Sequence, residues 1–292
     1  MSIHVPVLAE EVLHWLQPRP GQVIVDGTLG GGGHTRLLAE RVGDTGRVIA
    51  LDRDPSAVEA AEQSLRGLPV CVANTSYADF PQVLDELGIA QADGLLLDLG
   101  LSSDQLADRE RGFSFDADGP LDMRFDRTSG EPAWRLLERL RAEELADVIY
   151  RYGEERLSRR IAKAIVDARR ERPIKTAGEL ANLVRRCVPR SADRIDPATR
   201  TFQALRIAVN GELGELERVL KIAPERLRPP GRIAIISFHS LEDRIVKEAF
   251  RDDPLWQALT KKPVVASAAE VVANPRSRSA KLRVAERAAA SS

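Results

Sequence analysis

Three aspartates, Asp26, Asp52 and Asp98, each close a short apolar run, and four consecutive glycines, Gly30 to Gly33, followed by His34, come just after the first of them. Carboxylates at the ends of buried strands accept hydrogen bonds from ligand hydroxyls and amines. Glycines at a strand-to-helix turn let the backbone approach a ligand and supply positive φ angles. The dinucleotide fingerprint G-x-G-x-x-G is not completed here: counted from Gly30 its last position is Thr35, and from Gly31 it is Arg36. Nor does a G-x-x-x-x-G-K-[ST] loop occur, since no basic residue follows the glycines before Arg36. NAD, FAD and a cradled nucleoside triphosphate are therefore disfavoured. S-adenosylmethionine, which carries no phosphate, is the common ligand of this architecture that remains, and Asp52 is placed to accept from both ribose hydroxyls. His239 follows a further apolar run, where it is positioned to contact substrate, to act on a proton, or simply to pack. Any one strand-end acid is as well explained as an ordinary solvated group; their recurrence favours a site.

The elements that must position these residues are legible as apolar runs. Val23–Asp26, Arg47–Asp52, Val70–Ala73, Gly94–Asp98 and Gly231–Ser237 have the length and β-branched content of buried parallel strands, and Thr35–Val42 has helical spacing. Ligands on open parallel sheets lie beyond the carboxyl ends of the strands, where Asp26, Asp52, Tyr77 and Asp98 fall. From Leu101 to about Arg206 the alternation stops. An irregular stretch, Asp104 to Gly130, leads into helical periodicity over Trp134–Tyr150, Arg156–Arg170 and Thr176–Val188, with Pro173 and Pro189 as breaks. Asp196-Pro197 reads as the start of one more helix, whose apolar positions run from Phe202 to Leu220, and Ser240 with Asp243 resembles a capping box. The expected division is 1–104 and 207–292 as the two parts of a cofactor-binding α/β domain, with 105–206 as an inserted, helical and basic domain.

Charge is distributed unevenly. The 292 residues carry a net charge of -1, yet 156–206 hold 14 Lys and Arg against 5 Asp and Glu, a net +9, whereas 1–155 hold 14 against 28. Such a segment suggests a polyanionic substrate, the alternative being the solvated face of an amphipathic helix. Cys71 and Cys187 supply no disulfide framework, and with four scattered histidines no metal site is expected. No long uncharged apolar run marks a leader or a membrane span, so a cytoplasmic protein is expected.

An ordered series of motifs covers nearly the whole chain: His4-Val-Pro-Val-Leu8, Asp26-Gly-Thr-Leu-Gly-Gly-Gly-Gly-His34, Leu51-Asp-Arg-Asp-Pro55, Leu97-Asp-Leu-Gly-Leu-Ser-Ser103, Arg111-Gly-Phe-Ser-Phe115 and Gly119-Pro-Leu-Asp-Met-Arg-Phe-Asp126. It continues through Arg200-Thr-Phe-Gln-Ala-Leu-Arg206, Ile236-Ser-Phe-His-Ser-Leu-Glu-Asp243 and Asn274-Pro-Arg-Ser-Arg-Ser279. In this series the chain resembles the RsmH (MraW) methyltransferases, which methylate N4 of a cytosine in the decoding region of 16S ribosomal RNA. The resemblance implies a Rossmann-like, class I S-adenosylmethionine-dependent methyltransferase sheet with an inserted helical domain, and 16S rRNA, within the small ribosomal subunit, as partner rather than DNA or a membrane. Carried over by position, the cofactor contacts fall on Gly32, Gly33, His34, Asp52, Tyr77, Asp98 and Gln105.

A cytosine amino group is a poor nucleophile, because its lone pair is delocalised into the ring, so acceptors must be aimed at its two hydrogens. Many amino-methyltransferases carry a [DNS]-P-P-[YFW] loop for this task; here Asp98-Leu-Gly-Leu stands in its place. Asp98, Asp122 and His239 are the catalytic candidates, with backbone carbonyls near Leu99 and Gly100. Methylation at C5 would need a cysteine beside the fourth or fifth strand. Cys71 lies on the third and Cys187 in the insert, which favours an exocyclic nitrogen. Phe113, Phe115, Phe125 and Phe238 are candidates to stack an extruded base, and Arg276, Arg278, Lys281 and Arg283 to contact phosphates. A methyltransferase of proteins or small molecules, or a non-catalytic ribosome-assembly factor, would share the cofactor half.

Overall fold

The computed structural model describes residues 6–115, 118–189 and 196–289, so His4 and Val5 of the opening motif lie outside the described residues. The chain forms two compact units, one combining the segment up to Leu101 with that from Leu213 onward, the other Ser102–Glu212.

The first unit is built on a seven-stranded sheet, β1 (Val23–Asp26), β2 (Arg47–Asp52), β3 (Val70–Asn74), β4 (Ala92–Asp98), β5 (Leu227–Ser237), β6 (Trp256–Ala258) and β7 (Lys281–Arg287), in the order β3-β2-β1-β4-β5-β7-β6. The first five strands pair in parallel, while β7 runs antiparallel between β5 and β6. Strand residues alternate between two buried faces. Val25, Ile49, Leu95, Leu97, Ile233 and Ile235 join one core with Phe80, Leu216 and Phe250. Ile24, Val48, Leu96, Ala234 and Ile236 join the other with Val12, Leu38 and Val42. Burial on both faces is why these strands read as near-continuous apolar runs. The strand order reverses between β1 and β4, so the carboxyl ends of those two strands open the crevice in which such sheets bind ligands.

The second unit is helical. Its main helices, Ala133–Arg139, Ala142–Gly153, Ser158–Glu171, Ala177–Cys187 and Thr199–Asn210, bury Leu137, Leu145, Ile149, Ile161, Ile165, Leu180 and Leu205. Three of the expected spans are corrected. The periodicity from Trp134 to Tyr150 is two helices, because Leu140 is extended and the Glu144 carboxylate accepts from the Arg141 N–H to open the second. The long helix through Leu220 is likewise two, since Gly211 adopts φ +65° and caps the first at Asn210. Asp196 does not cap that helix, which begins at Thr199. Its Oδ1 accepts from Ala198 N–H at 2.8 Å in a preceding turn, and Arg185 donates to Oδ2 at 2.7 Å. The units divide at Leu101/Ser102 and Glu212/Leu213, displaced from 104/105 and 206/207 because Ser102 opens the first helix of the second unit and Gly211 ends its last.

Candidate active site

The glycine turn is built by its own neighbours. Gly30 and Gly32 take φ +48° and +76°, and Gly32 is the residue from which the helix Gly33–Val42 starts. Asp52, at the end of β2, accepts the Gly30 N–H at Oδ2 (2.8 Å) and the Asp54 N–H at Oδ1 (2.9 Å), holding the turn against the neighbouring strand. Burial pushes the Asp52 carboxyl up to about 6, against those two hydrogen bonds and with help from the nearby Asp54 and Asp26 charges. Gly27 is required for a different reason. A Cβ there would stand 2.5 Å from Leu97 Cδ2 and 2.7 Å from Tyr77 Cβ, so its absence is what lets Tyr77 close against the end of β1.

Asp26 turns into the protein. It is fully buried and accepts from Thr35 Oγ1 at 2.7 Å and Thr28 N–H at 3.1 Å, and burial raises its pKa. Thr28, which the sequence reading passed over, joins two strands: its Oγ1 accepts the Asp98 N–H at 2.6 Å.

Asp98 ends β4 with a side chain only 15% exposed, His34 Nε2 lying 3.8 Å from its Oδ2. Its other oxygen, Oδ1, is buried with no hydrogen-bond partner among the described residues. Burial is the largest influence on this carboxyl and pushes it up to about 7; the Arg276 guanidinium opposes the shift, and the Asp26 and Glu242 charges add to it. The segment after Asp98 is held at three points. Leu99 N–H donates to Ile236 C=O at 2.9 Å, Arg276 donates to Leu101 C=O, and a Cβ on Gly100 (φ +115°) would reach 3.1 Å from the Phe238 ring. Asp98 thus carries, on a braced loop, an acceptor oxygen without a partner and a carboxyl about half ionised near neutral pH, a group able to accept a hydrogen bond from an N–H or O–H.

His239 has a structural task. It is the N-cap of the helix Ser240–Asp252: its Nδ1 accepts from Glu242 N–H at 3.4 Å, while the Glu242 carboxylate accepts from His239 N–H and, at 2.9 Å, Phe238 N–H. The capping box is therefore His239/Glu242 and not Ser240/Asp243, because His239 is still extended and the helix begins at Ser240. Asp243 instead binds Arg283 at 2.6 Å and Lys281 at 3.3 Å. Arg283 is buried in that pair, which takes it out of reach of a phosphate, whereas Lys281 keeps its side chain 38% exposed. Arg276, expected to meet RNA, instead donates to the Leu101 carbonyl beside Asp98, a placement with no local signal beyond its own motif. Arg278 is exposed.

Two candidates belong to the second unit. Gln105 caps the helix Ser103–Ala107 reciprocally with Ser102, accepting from the Ser102 N–H at 3.1 Å. Asp122 is committed to Arg124, which grips it through Nε (2.8 Å) and Nη2 (2.9 Å). Although partial burial acts in the other direction, the Arg124 bonds and the nearby Arg127 charge keep its carboxyl below the usual range. A carboxylate so held is a weak proton acceptor and acts as a clamp on the 122–130 loop. Phe113 packs on Phe125 at 5.8 Å and Phe115 edge-on to Phe202 at 5.4 Å, which occupies these three in packing. Much of the +9 is also consumed: Arg169, Arg172, Arg185 and Arg206 bind carbonyls or carboxylates. Arg156, Arg159, Arg160 and Lys163 stay exposed, on or just before the helix Ser158–Glu171, with no carboxylate partner among the described residues. Those residues include no metal-binding cluster and no helix long and apolar enough to cross a membrane.

A parallel sheet with one antiparallel strand set between β5 and the edge, a glycine turn after β1 and acids at the ends of β2 and β4 define a Rossmann-like, class I S-adenosylmethionine-dependent methyltransferase. The match to a family model extends over residues 1–288, and the chain belongs to the MraW methylase family. It is 56% identical over 296 residues to the ribosomal RNA small subunit methyltransferase H of Rhodopirellula baltica, covering 97% of this chain and 91% of that protein. It is 53% identical over 286 residues to the protein of that name from Deinococcus deserti, covering 98% and 93%, and 50% identical over 287 residues to that from a Cyanothece species, covering 98% and 95%.

Proposed function

We propose that the chain transfers a methyl group from S-adenosylmethionine to N4 of a specific cytosine in the decoding region of 16S rRNA, with the small ribosomal subunit as its working context. The backbone N–H groups of Gly33 and His34, at the start of a ten-residue helix, suit the carboxylate of the methionine moiety, while Gly32 shapes the turn, its N–H donating to Leu29 C=O at 2.7 Å and its lack of a side chain leaving room for the ligand. Asp52 suits the ribose: each of its oxygens accepts one N–H and keeps a second lone pair for a hydroxyl. Tyr77, against Gly27, suits the adenine, and Gln105 is assigned to the same ligand by the resemblance. The cofactor supplies an electrophilic methyl on a sulfonium. The inserted unit, 105–206 in the sequence reading, is assigned to RNA recognition through Arg156, Arg159, Arg160 and Lys163.

Asp98 is the observation that carries the reading. Its unpartnered Oδ1 accepts one amino hydrogen of the cytosine, concentrating the nitrogen lone pair, and its raised pKa suits it to take the proton released as the N–C bond forms. His34, near Oδ2, and Arg276, on the Leu101 carbonyl, orient that carboxyl and its loop. His239 and Glu242 hold Phe238 against Gly100, the apolar wall on which the base would rest. The test is methyl transfer from labelled S-adenosylmethionine to small subunits lacking their native modification, followed by nuclease digestion and mass spectrometry of the nucleosides. N4-methylcytidine with the wild type, and none with Asp98→Ala, is expected. Intact cofactor binding without any labelled nucleoside would refute the substrate assignment.

A further inference from the structure

The second unit holds an aromatic residue that the sequence reading did not single out. Trp134 is half-buried, and two cations lie over its indole: the Arg135 guanidinium at 5.0 Å from the ring centroid and Lys175 Nζ at 5.2 Å. The backbone brings these groups together. Lys175 C=O accepts the Leu121 N–H at 2.8 Å, and Leu121 C=O accepts the Trp134 N–H at 2.9 Å. Beside the indole opens a cavity of about 540 Å³ lined by Asp122, Arg124, Glu131, Pro132, Trp134 and Arg135. Both carboxylates at its edge are neutralised, Asp122 by Arg124 and Glu131 by Arg139. Arg135 and Lys175, in contrast, are exposed and have no carboxylate partner among the described residues.

The loop that forms the other wall is braced by side-chain hydrogen bonds. Met123 sits at φ +64° with its side chain buried, a costly conformation for a residue other than glycine. It is held there by Asn210, whose Nδ2 donates to Met123 C=O at 2.7 Å and whose Oδ1 accepts from Phe125 N–H at 2.8 Å. Arg124, besides its two side-chain bonds to Asp122, donates to the carbonyls of Ser129 and Gly130.

We infer that this cavity is a nucleotide subsite for unpaired RNA, separate from the residues assigned to cofactor and target base. A nucleobase stacks on the platform made by the indole and the Arg135 guanidinium, both of which stack on bases. Lys175 and Arg135 provide the positive charge for its phosphate. The inference rests on the reading of the substrate as RNA. It adds that the inserted unit grips a nucleotide of that RNA by stacking as well as by charge.

Binding of a labelled single-stranded RNA to the full chain tests it, with Trp134→Leu, Trp134→Phe and Arg135→Gln measured beside the wild type and S-adenosylmethionine titrations as control. Trp134→Leu is expected to raise the Kd for RNA about tenfold or more, Trp134→Phe to raise it less, since a π face remains. Arg135→Gln should lower the slope of log Kd against log salt by about one. RNA should quench indole emission in the wild type and not in Trp134→Phe. Cofactor affinity should be unchanged throughout. Wild-type RNA affinity in Trp134→Leu, or equal quenching in Trp134→Phe, overturns the subsite while leaving the proposed reaction standing. If Trp134→Leu does not fold, the quenching in Trp134→Phe and the salt slope of Arg135→Gln decide. Absence of N4-methylcytidine with the wild type, alongside retained Trp134-dependent RNA binding, overturns the reaction and leaves the subsite.

Discussion

Replacing Asp98 by Asn should stabilise the protein without its ligands while sharply slowing its chemistry. The carboxyl is moved from 3.8 to about 7, chiefly by burial. At about 1.4 kcal/mol for each tenfold change in proton affinity, keeping it ionised in the folded state costs up to about 4 kcal/mol. Because the folded pKa lies above the unfolded one, the stabilising contribution is complete below about 4, and it is lost as pH rises through about 7. At about pH 8 both states carry the charge and the whole penalty is felt; Asn has none to carry. The expected result is a urea midpoint for Asp98→Asn well above that of the wild type at about pH 8, the gap closing as pH falls towards about 4. Methyl transfer should drop about a hundredfold or more, an amide lacking the capacity to take a proton. A variant no more stable than the wild type at about pH 8 would refute the argument, since the ionised carboxylate would then carry no burial cost.

Three further outcomes are expected. Glu242→Gln keeps the acceptor for the Phe238 and His239 N–H groups but removes a charge that raises Asp98, so the acidic limb of the methyl-transfer pH profile should move to lower pH; an unmoved limb would separate Glu242 from Asp98. Gly27→Ala places a methyl 2.5 Å from Leu97 and 2.7 Å from Tyr77. It should cost about 1–3 kcal/mol of stability and weaken S-adenosylmethionine binding by calorimetry, and wild-type affinity would remove Tyr77 from the cofactor site. Asn210→Ala strips the partners from Met123 C=O and Phe125 N–H and should lower stability by about 2–3 kcal/mol in urea unfolding; a loss under about 0.5 kcal/mol would mean the 121–126 loop does not depend on it.

Much of the fold was legible because it is written in local pattern. A parallel strand buried on both faces must be apolar along its length, so β1, β2, β4 and β5 could be found from their residues alone; β3, a half-buried edge strand, was found from its short β-branched run. The strand-end position of Asp52 and Asp98 followed from the same runs. The glycine turn was legible for a stereochemical reason, since few residues other than glycine take positive φ. β6 and β7 were not found. The basic residues of β7 resemble an RNA-facing tail until Arg283 is seen buried on Asp243, a partner 40 positions away. Helix breaks were missed where periodicity runs on through them, at Leu140 and Gly211, because period reports which face is buried and not whether the axis continues.

The same division holds in the site. Residue type and spacing determined that acids and glycines would gather at one edge of a sheet, that no dinucleotide loop was present and that a basic stretch lay in an insert. Tertiary structure alone decided what each group does there. Asp26 turns inward to Thr35, whereas Asp98 keeps an oxygen without a partner; His239 caps a helix; Asp122 is spent on Arg124; and Trp134 stands beside two cations. Burial and hydrogen-bond partners set these roles, and both depend on residues distant in the chain, which no local pattern records.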